Sequence, residues 1–295
     1  MSRQSGIALL IVMWLLALLA IVLGAFTVLA RSERMQARHL FEGTKAHYAA
    51  EAGIHRAVMA LAVPDPLQRW IPDGRAYQFQ FEGAEVEIEI HDESGKIDLN
   101  AVDPAFFSRF LQGMGVDMVE ADELAAAVAD WRDTDDLLTP GGAEDDDYEA
   151  LGLSYGAKDA PFDLISELQQ VRGVSYDLYS RLAPHLTLYS GLSQPNAAFA
   201  PAAVLGALPG MDPNQAAFTV DTRRQYDPNS GLPPLTLTDG TPLVVAAGSG
   251  TYNVRSRARL NNGAWAELDA VVRLGGAPSS GLAFTALRWQ DGTQL

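Results

Sequence analysis

The sequence predicts an α+β protein built on one very long N-terminal helix. Three observations carry the prediction. An apolar run opens the chain and passes without a break into an amphipathic helical segment. Two blocks far apart, around 77–90 and 249–274, contain the period-two alternation of half-buried strands. The residues between them, roughly 99–190, return to helical spacing.

The uncharged stretch from Ile7 to Ala30 is 24 residues, and as a helix it measures ~36 Å against a hydrocarbon core of ~30 Å. It is long enough to cross a membrane. A secretory signal has a shorter apolar core and a small-residue cleavage site, whereas this run passes straight into Arg31, Ser32, Glu33 and Arg34. Loss of the whole segment is therefore not expected. Arg31, Arg34 and Arg38 outnumber Arg3, and the positive-inside bias alone would keep the C-terminal part in the cytoplasm. Large domains, however, translocate largely regardless of flanking charge. Beyond the apolar run, Ser32 to about Ala62 holds no proline, has glycine only at 43 and 53, and sets Ile54, Val58 and Leu61 on one face. Pro64 and Pro66 end the pattern. The expectation is one helix of up to 56 residues, ~84 Å long, half in lipid and half amphipathic.

After the helix the period changes. Tyr77, Phe79 and Phe81 alternate with small or polar neighbours, and Glu85 to Ile90 alternate strictly, with Gly83 between the two strands. The later block, 249–274, carries Asn262-Gly263 as a hairpin turn signal. Between the blocks, 99–131 and 162–189 each read as a helix, a glycine-containing turn (Gly113 and Gly115, then Gly173) and a second helix. Residues 194–234, rich in Pro, Ala and Asn, read as loop with a short helix near Asn214 to Phe218.

With 295 residues, 48% apolar content and net charge −16, the chain can supply a membrane helix and one or two globular cores. It has no cysteine, which excludes disulfides, thiol nucleophiles and cysteine metal sites. The acidic balance argues against a nucleic-acid surface. No GxSxG, HExxH or P-loop pattern occurs, and Gly248-Ser249-Gly250 lacks the third glycine and following helix of a dinucleotide site. No enzyme is expected. His39, His47 and His55 sit eight apart on the long helix, ~12 Å between successive positions, too far to share a metal.

The short polar leader ending in Gly6, followed at once by the apolar helix, resembles the class III leader of type IV pilins and type II secretion pseudopilins. In that superfamily prepilin peptidase cuts after the glycine, which would make Ile7 the new, N-methylated terminus. Most members carry glutamate at the fifth mature residue, paired with a neighbour's N-terminal amine. Here that position is Ile11, and the absence is shared by the K-type minor pseudopilins of the type II secretion system. A buried carboxylate is tolerated only when paired, so a subunit that docks on no neighbour's amine is better without it.

The resemblance implies a pilin-like fold: the long helix packed on an antiparallel sheet formed by both strand blocks, with a large inserted all-helical domain. The corresponding segments are a leader (1–6), a transmembrane helix (7–30), the rest of the helix and the first strands (31–98), the helical insertion (99–190), a return to the sheet (191–275) and a C-terminal tail (276–295). It further implies a single-pass inner-membrane protein with its globular part in the periplasm. The implied role is at the tip of the secretion pseudopilus, beginning its assembly and supporting protein export across the outer membrane. The implied partners are the I-type and J-type minor pseudopilins, the major pseudopilin and prepilin peptidase, with secreted exoproteins and the outer-membrane channel as further contacts.

Residues 130–148 carry eight acidic side chains against the single base Arg132. Oxygen ligands at this density, on a loop that Pro140, Gly141 and Gly142 allow to fold back, suit calcium. Asp133, Asp135 and Glu144 fall at positions 1, 3 and 12 of an EF-hand-like loop, but Leu137 and Leu138 stand where that loop needs an oxygen ligand and the turn glycine. The alternative is a solvated acidic loop. Trp131, Tyr148 and the two leucines interleave with the acids and suggest a loop packed against its domain. K-type pseudopilins bind calcium in this inserted domain, and the resemblance implies Asp130, Asp133, Asp135, Asp136, Glu144 and Asp145 as ligands. The two glycine turns also resemble helix-hairpin-helix modules, which present backbone N–H groups to DNA phosphate. A membrane-anchored DNA receptor or competence pseudopilin is the rival role. Against it, the second hairpin reads Arg172-Gly173-Val174-Ser175 without a second glycine, beside an acidic segment.

Overall fold

The computed structural model describes residues 5–227, 240, 248–275 and 283–292, with side chains from residue 8. Residues 1–4 of the leader, the end of the 194–234 segment and parts of the C-terminal tail lie outside that range.

Helix α1 spans Ser5–Leu61 as one unbroken element. It stops where Pro64 and Pro66 remove N–H donors and fix φ; the Arg69 guanidinium donates to the carbonyls of Val63 and Pro64 just past its end. From residue 8 to the start of the globular part its apolar side chains are exposed, Trp14 at 77% and Ile21 at 68%. From Ala46 on, Ala46, Ala49, Ala50, Ile54, Ala57, Val58 and Leu61 are buried. The small residues let α1 lie close to the sheet, closest at Gly53, where a Cβ would collide with Ser256 Oγ and sit 2.9 Å from Val86 Cγ1.

Strands β1 (Asp73–Phe81) and β2 (Ala84–Asp92) form a hairpin. Glu82 and Gly83 between them have φ of 48° and 79°, the two positive values of a type I′ turn. β2 then pairs antiparallel with β5 (Thr251–Leu260), more than 150 residues on, which continues through the Asn262-Gly263 turn into β6 (Trp265–Leu274). The stretch read as a tail contributes β7 (Phe284–Asp291), and the five-stranded sheet runs β1-β2-β5-β6-β7, all antiparallel. Val86, Ile88 and Ile90 share with Val254, Ala258, Leu268 and Ala270 the face that packs on α1.

The helical body inserted after β2 is closed at its neck by a parallel pair, β3 (Ile97–Asp98) with β4 (Leu186–Thr187). Buried Asp98 pins the neck by accepting from the backbone N–H groups of Asn100, Ser190 and Gly191. The first unit is α2 (Pro104–Gly113), a turn at Gly115 with φ 89°, and α3 (Met118–Arg132). Asp103 and Asp117 cap these helices by accepting from the N–H groups of Phe106 and Val119. α4 (Asp145–Ala150) follows. In the second unit the expected first helix is only a 3-10 stretch, Ile165–Gln170, before Gly173 and α5 (Tyr176–Leu182).

The core of this body extends beyond 190. α6 (Ala202–Leu205) and α7 (Pro213–Gln225) add Val204, Leu205, Ala216 and Val220 to the cluster around Phe106, Phe110 and Leu124. Arg223 on α7 is fully buried and donates to the carbonyls of Ala197 and Ala200. Arg75 on β1 donates to the carbonyls of Arg223 and Tyr226 while paired with Asp73 at 2.9 Å, so α7 is tied to the sheet.

Candidate metal centre

The acidic segment begins inside α3. Asp130 lies on the buried side of the helix, 0% exposed, and its carboxylate accepts from the N–H of Ala143 at 2.9 Å and of Thr139 at 3.3 Å. These bonds fold the loop back across the end of α3. Gly142 is required there, because a Cβ would collide with Asp130 Oδ2. Arg132 fixes the same end to the neck by donating to the carbonyls of Leu99 and Val102 at 2.5 and 2.7 Å. Below the loop, Trp131 and Tyr148 are buried against each other and against Tyr155 and Phe162. Leu137 and Leu138 are not part of that packing: they are 76% and 57% exposed. Asp135 accepts from the N–H of Leu137, and the chain turns outward there.

Asp133 and Glu144 are half-buried, whereas Asp135, Asp136 and Asp145 are exposed. Asp133 Oδ1 and Glu144 Oε1 are inaccessible to solvent and lack hydrogen-bond partners, and so is Asp159 Oδ1. Burial first, and then Asp130, Asp133, Asp159 and Asp136, push the Glu144 carboxyl up to about 7. Burial, Asp135, Asp130 and Asp159 raise Asp133. Asp159 is raised by burial and by Asp145 and Asp136. The fold thus gathers the expected residues into one like-charged neighbourhood and adds Asp159, which stands outside the acidic run. No local pattern in the sequence marks it; close by, the chain approaches Asp145 so tightly at Gly156 that a Cβ there would collide with Asp145 Oδ1. Asp147 is differently employed. It accepts from the N–H of Glu144 and pairs with Arg172 at 3.4 Å, while Arg172 also donates to the carbonyl of Gly141.

Among the described residues no three of these side chains are placed closely enough to hold a metal ion. The donor set nevertheless fits a hard cation: oxygen atoms only, three of them buried and unpartnered, in a neighbourhood where each further negative charge is unfavourable. The residues that would hold calcium are Asp133, Asp135, Asp136, Glu144, Asp145 and Asp159, with Asp130 shaping the loop. A bound cation would supply the missing positive charge.

Several amides of each hairpin turn are already used. In the first turn the N–H groups of Met114, Gly115 and Val116 donate to the carbonyls of Phe110, Gln112 and Leu111. In the second, the N–H of Arg172 donates to the Tyr148 hydroxyl and that of Val174 to Val171, while Gly173 faces Leu124. Both turns serve packing, and neither offers its row of amides to a phosphate. The helix histidines are likewise separate: His47 pairs with Asp291 and His55 with Glu51.

Residues 88–191, from β2 through the two hairpin units to just past β4, match a family model described as type II secretion system (T2SS), protein K. The chain resembles protein K of the type II secretion system. A protein of that name from Klebsiella pneumoniae is 32% identical over 208 residues, covering 62% of this chain and 62% of the relative. Another, from Pectobacterium carotovorum subsp. carotovorum, is 30% identical over 215 residues, covering 63% of each. The chain therefore spans 62% and 63% of the length of these two protein K relatives. A chain in the crystal structure of the GspK-GspI-GspJ complex from enterotoxigenic Escherichia coli superposes with a TM-score of 0.55 at 18% identity, covering 90% of this chain and 99% of that one. The protein K likeness in sequence and the likeness of fold therefore fall on the same chain.

Proposed function

We propose that this chain is a K-type minor pseudopilin that forms the tip complex of the type II secretion pseudopilus with I-type and J-type partners. Its role is mechanical rather than catalytic: it begins pseudopilus assembly and so supports protein export across the outer membrane. The observation that carries the reading is the protein K match falling on the helical body inserted in a long-helix-on-sheet fold. Prepilin peptidase would cut after Gly6 and leave Ile7 as a methylated terminus. The exposed apolar part of α1, with mean hydropathy 2.9 over its best window, would anchor the chain in the inner membrane, with the globular part in the periplasm. Calcium held at the loop of Asp133, Asp135, Asp136, Glu144 and Asp145, joined by Asp159, would order the helical body.

The test is co-purification of the full-length chain, extracted in detergent, with co-expressed I-type and J-type pseudopilins. A stable ternary complex is expected. Failure to bind either partner, together with salt-sensitive binding of duplex DNA at micromolar protein, would overturn the reading in favour of a DNA receptor.

A further inference from the structure

The three arginines that follow the apolar run have no part in the role just described. We propose that Arg31, Arg34 and Arg38 form a phosphate-binding stripe for anionic phospholipid headgroups where α1 leaves the membrane. This rests on the reading of residues 7–30 as a membrane span.

Spacings of three and four residues set the three side chains within about 60° of one another around the helix and over ~10 Å of its axis. That length compares with a headgroup layer of ~5–8 Å, allowing for long side chains that reach back toward the interface. All three are exposed, and among the described residues none makes an ion pair. Glu33 lies on the far side of the helix by its spacing, and Glu42 stands a turn further from the membrane than Arg38. The sheet does not cover the stripe, since burial of α1 begins at Ala46. All basic residues between 31 and 42, histidine aside, are arginine, whose planar guanidinium binds phosphate oxygens in pairs. The chain as a whole carries −16, so its globular part is repelled by an anionic surface. The three arginines are the densest basic cluster beside the apolar run, against Arg3 alone at its other end.

The experiment uses the full-length protein reconstituted in phosphatidylcholine vesicles with trace spin-labelled phosphatidylglycerol or phosphatidylcholine. Electron paramagnetic resonance reads the fraction of each lipid held at the protein. Both labels should show a restricted fraction, with phosphatidylglycerol favoured by about fivefold, the worth of one basic residue at an anionic surface. The preference should vanish in R31Q/R34Q/R38Q and at high salt, with the phosphatidylcholine fraction unchanged. Restriction of neither lipid would refute the span itself. Equal restriction of both would overturn the stripe while leaving the span, and would point to an acidic protein surface as its occupant. A preference that survives in the triple variant would also overturn it.

Discussion

His91 should make the junction between sheet and helical body sensitive to acid. The residue sits on β2, paired with Asp73 of β1 and Asn253 of β5, and its ring lies against Gly74. Burial is the largest influence, Lys96, Arg224 and Arg255 add positive charge, and Asp73 only partly compensates, so its pKa falls to about 4 from 6.5. The unfolded chain takes up a proton as pH drops through 6.5, and the folded chain does not until about 4. Stability is therefore fully present above the unfolded value and is lost between those two limits. Linkage gives a loss of about 2 kcal/mol between pH 7 and 5, approaching ~3.4 kcal/mol below pH 4. Chemical denaturation of the detergent-solubilised protein at pH 7, 6, 5 and 4.5 measures it, with His91→Gln as reference because it cannot titrate. The wild type should lose about 2 kcal/mol more than the variant from pH 7 to 5. The chain has five histidines, so the same variant also identifies the His91 ring resonance, which should titrate near 4. Parallel stability curves, or a ring that titrates near 6.5, would refute the reasoning.

The calcium proposal predicts that the unfolding temperature rises with the logarithm of free calcium, by ~2.7 kcal/mol at a hundredfold excess over the dissociation constant. Glu144→Gln should invert the order: more stable than wild type in chelator, where a crowded charge is removed, and less stable in millimolar calcium. Identical wild-type melting in chelator and calcium would remove the metal from the account. Gly53→Ala should destabilise by about 1–3 kcal/mol through overpacking on β5, and Ser256→Ala in the same chain should restore part of it; thermal melts of the wild type, the two single variants and the double variant decide. Arg75→Gln leaves the fully buried Asp73 carboxylate without its pair and should cost about 3–5 kcal/mol. Adding Asp73→Asn should recover much of that, whereas additive losses would mean the pair is not coupled.

The helix and the sheet were legible because their signals are local and repetitive. α1 ends at Leu61 because two prolines follow within five residues, and any reader of the sequence can see them. The β5–β6 hairpin announces itself through Asn262-Gly263, where Gly263 takes φ 88°. The pairing of β2 with β5 was not readable from either strand and came only through resemblance, since register across such a separation leaves no local mark. β7 was missed because FTALRWQD, on the sheet edge and half-exposed, does not alternate. α6 and the rest of α7 lie in a segment whose proline and alanine content reads as loop, with a helix expected only near Asn214 to Phe218 inside α7, yet alanine is what lets Ala216 pack into a core already crowded with phenylalanine.

The same division governs the candidate site. Charge density marked the loop from Asp130 to Asp147 in composition alone, but two features depended on three dimensions. Asp130 looks like any other member of the run, and only the fold shows its carboxylate already accepting from the Thr139 and Ala143 amides. Asp159 looks unrelated, and only the return of the chain brings its carboxylate within the electrostatic reach of Asp145 and Asp136 with one oxygen unpartnered. Leu137 and Leu138 interleave with the acids, which reads as a loop packed on its domain, yet both side chains are exposed. An acidic loop announces where a cation is wanted, while the surrounding helices decide which of its oxygens remain free to meet one.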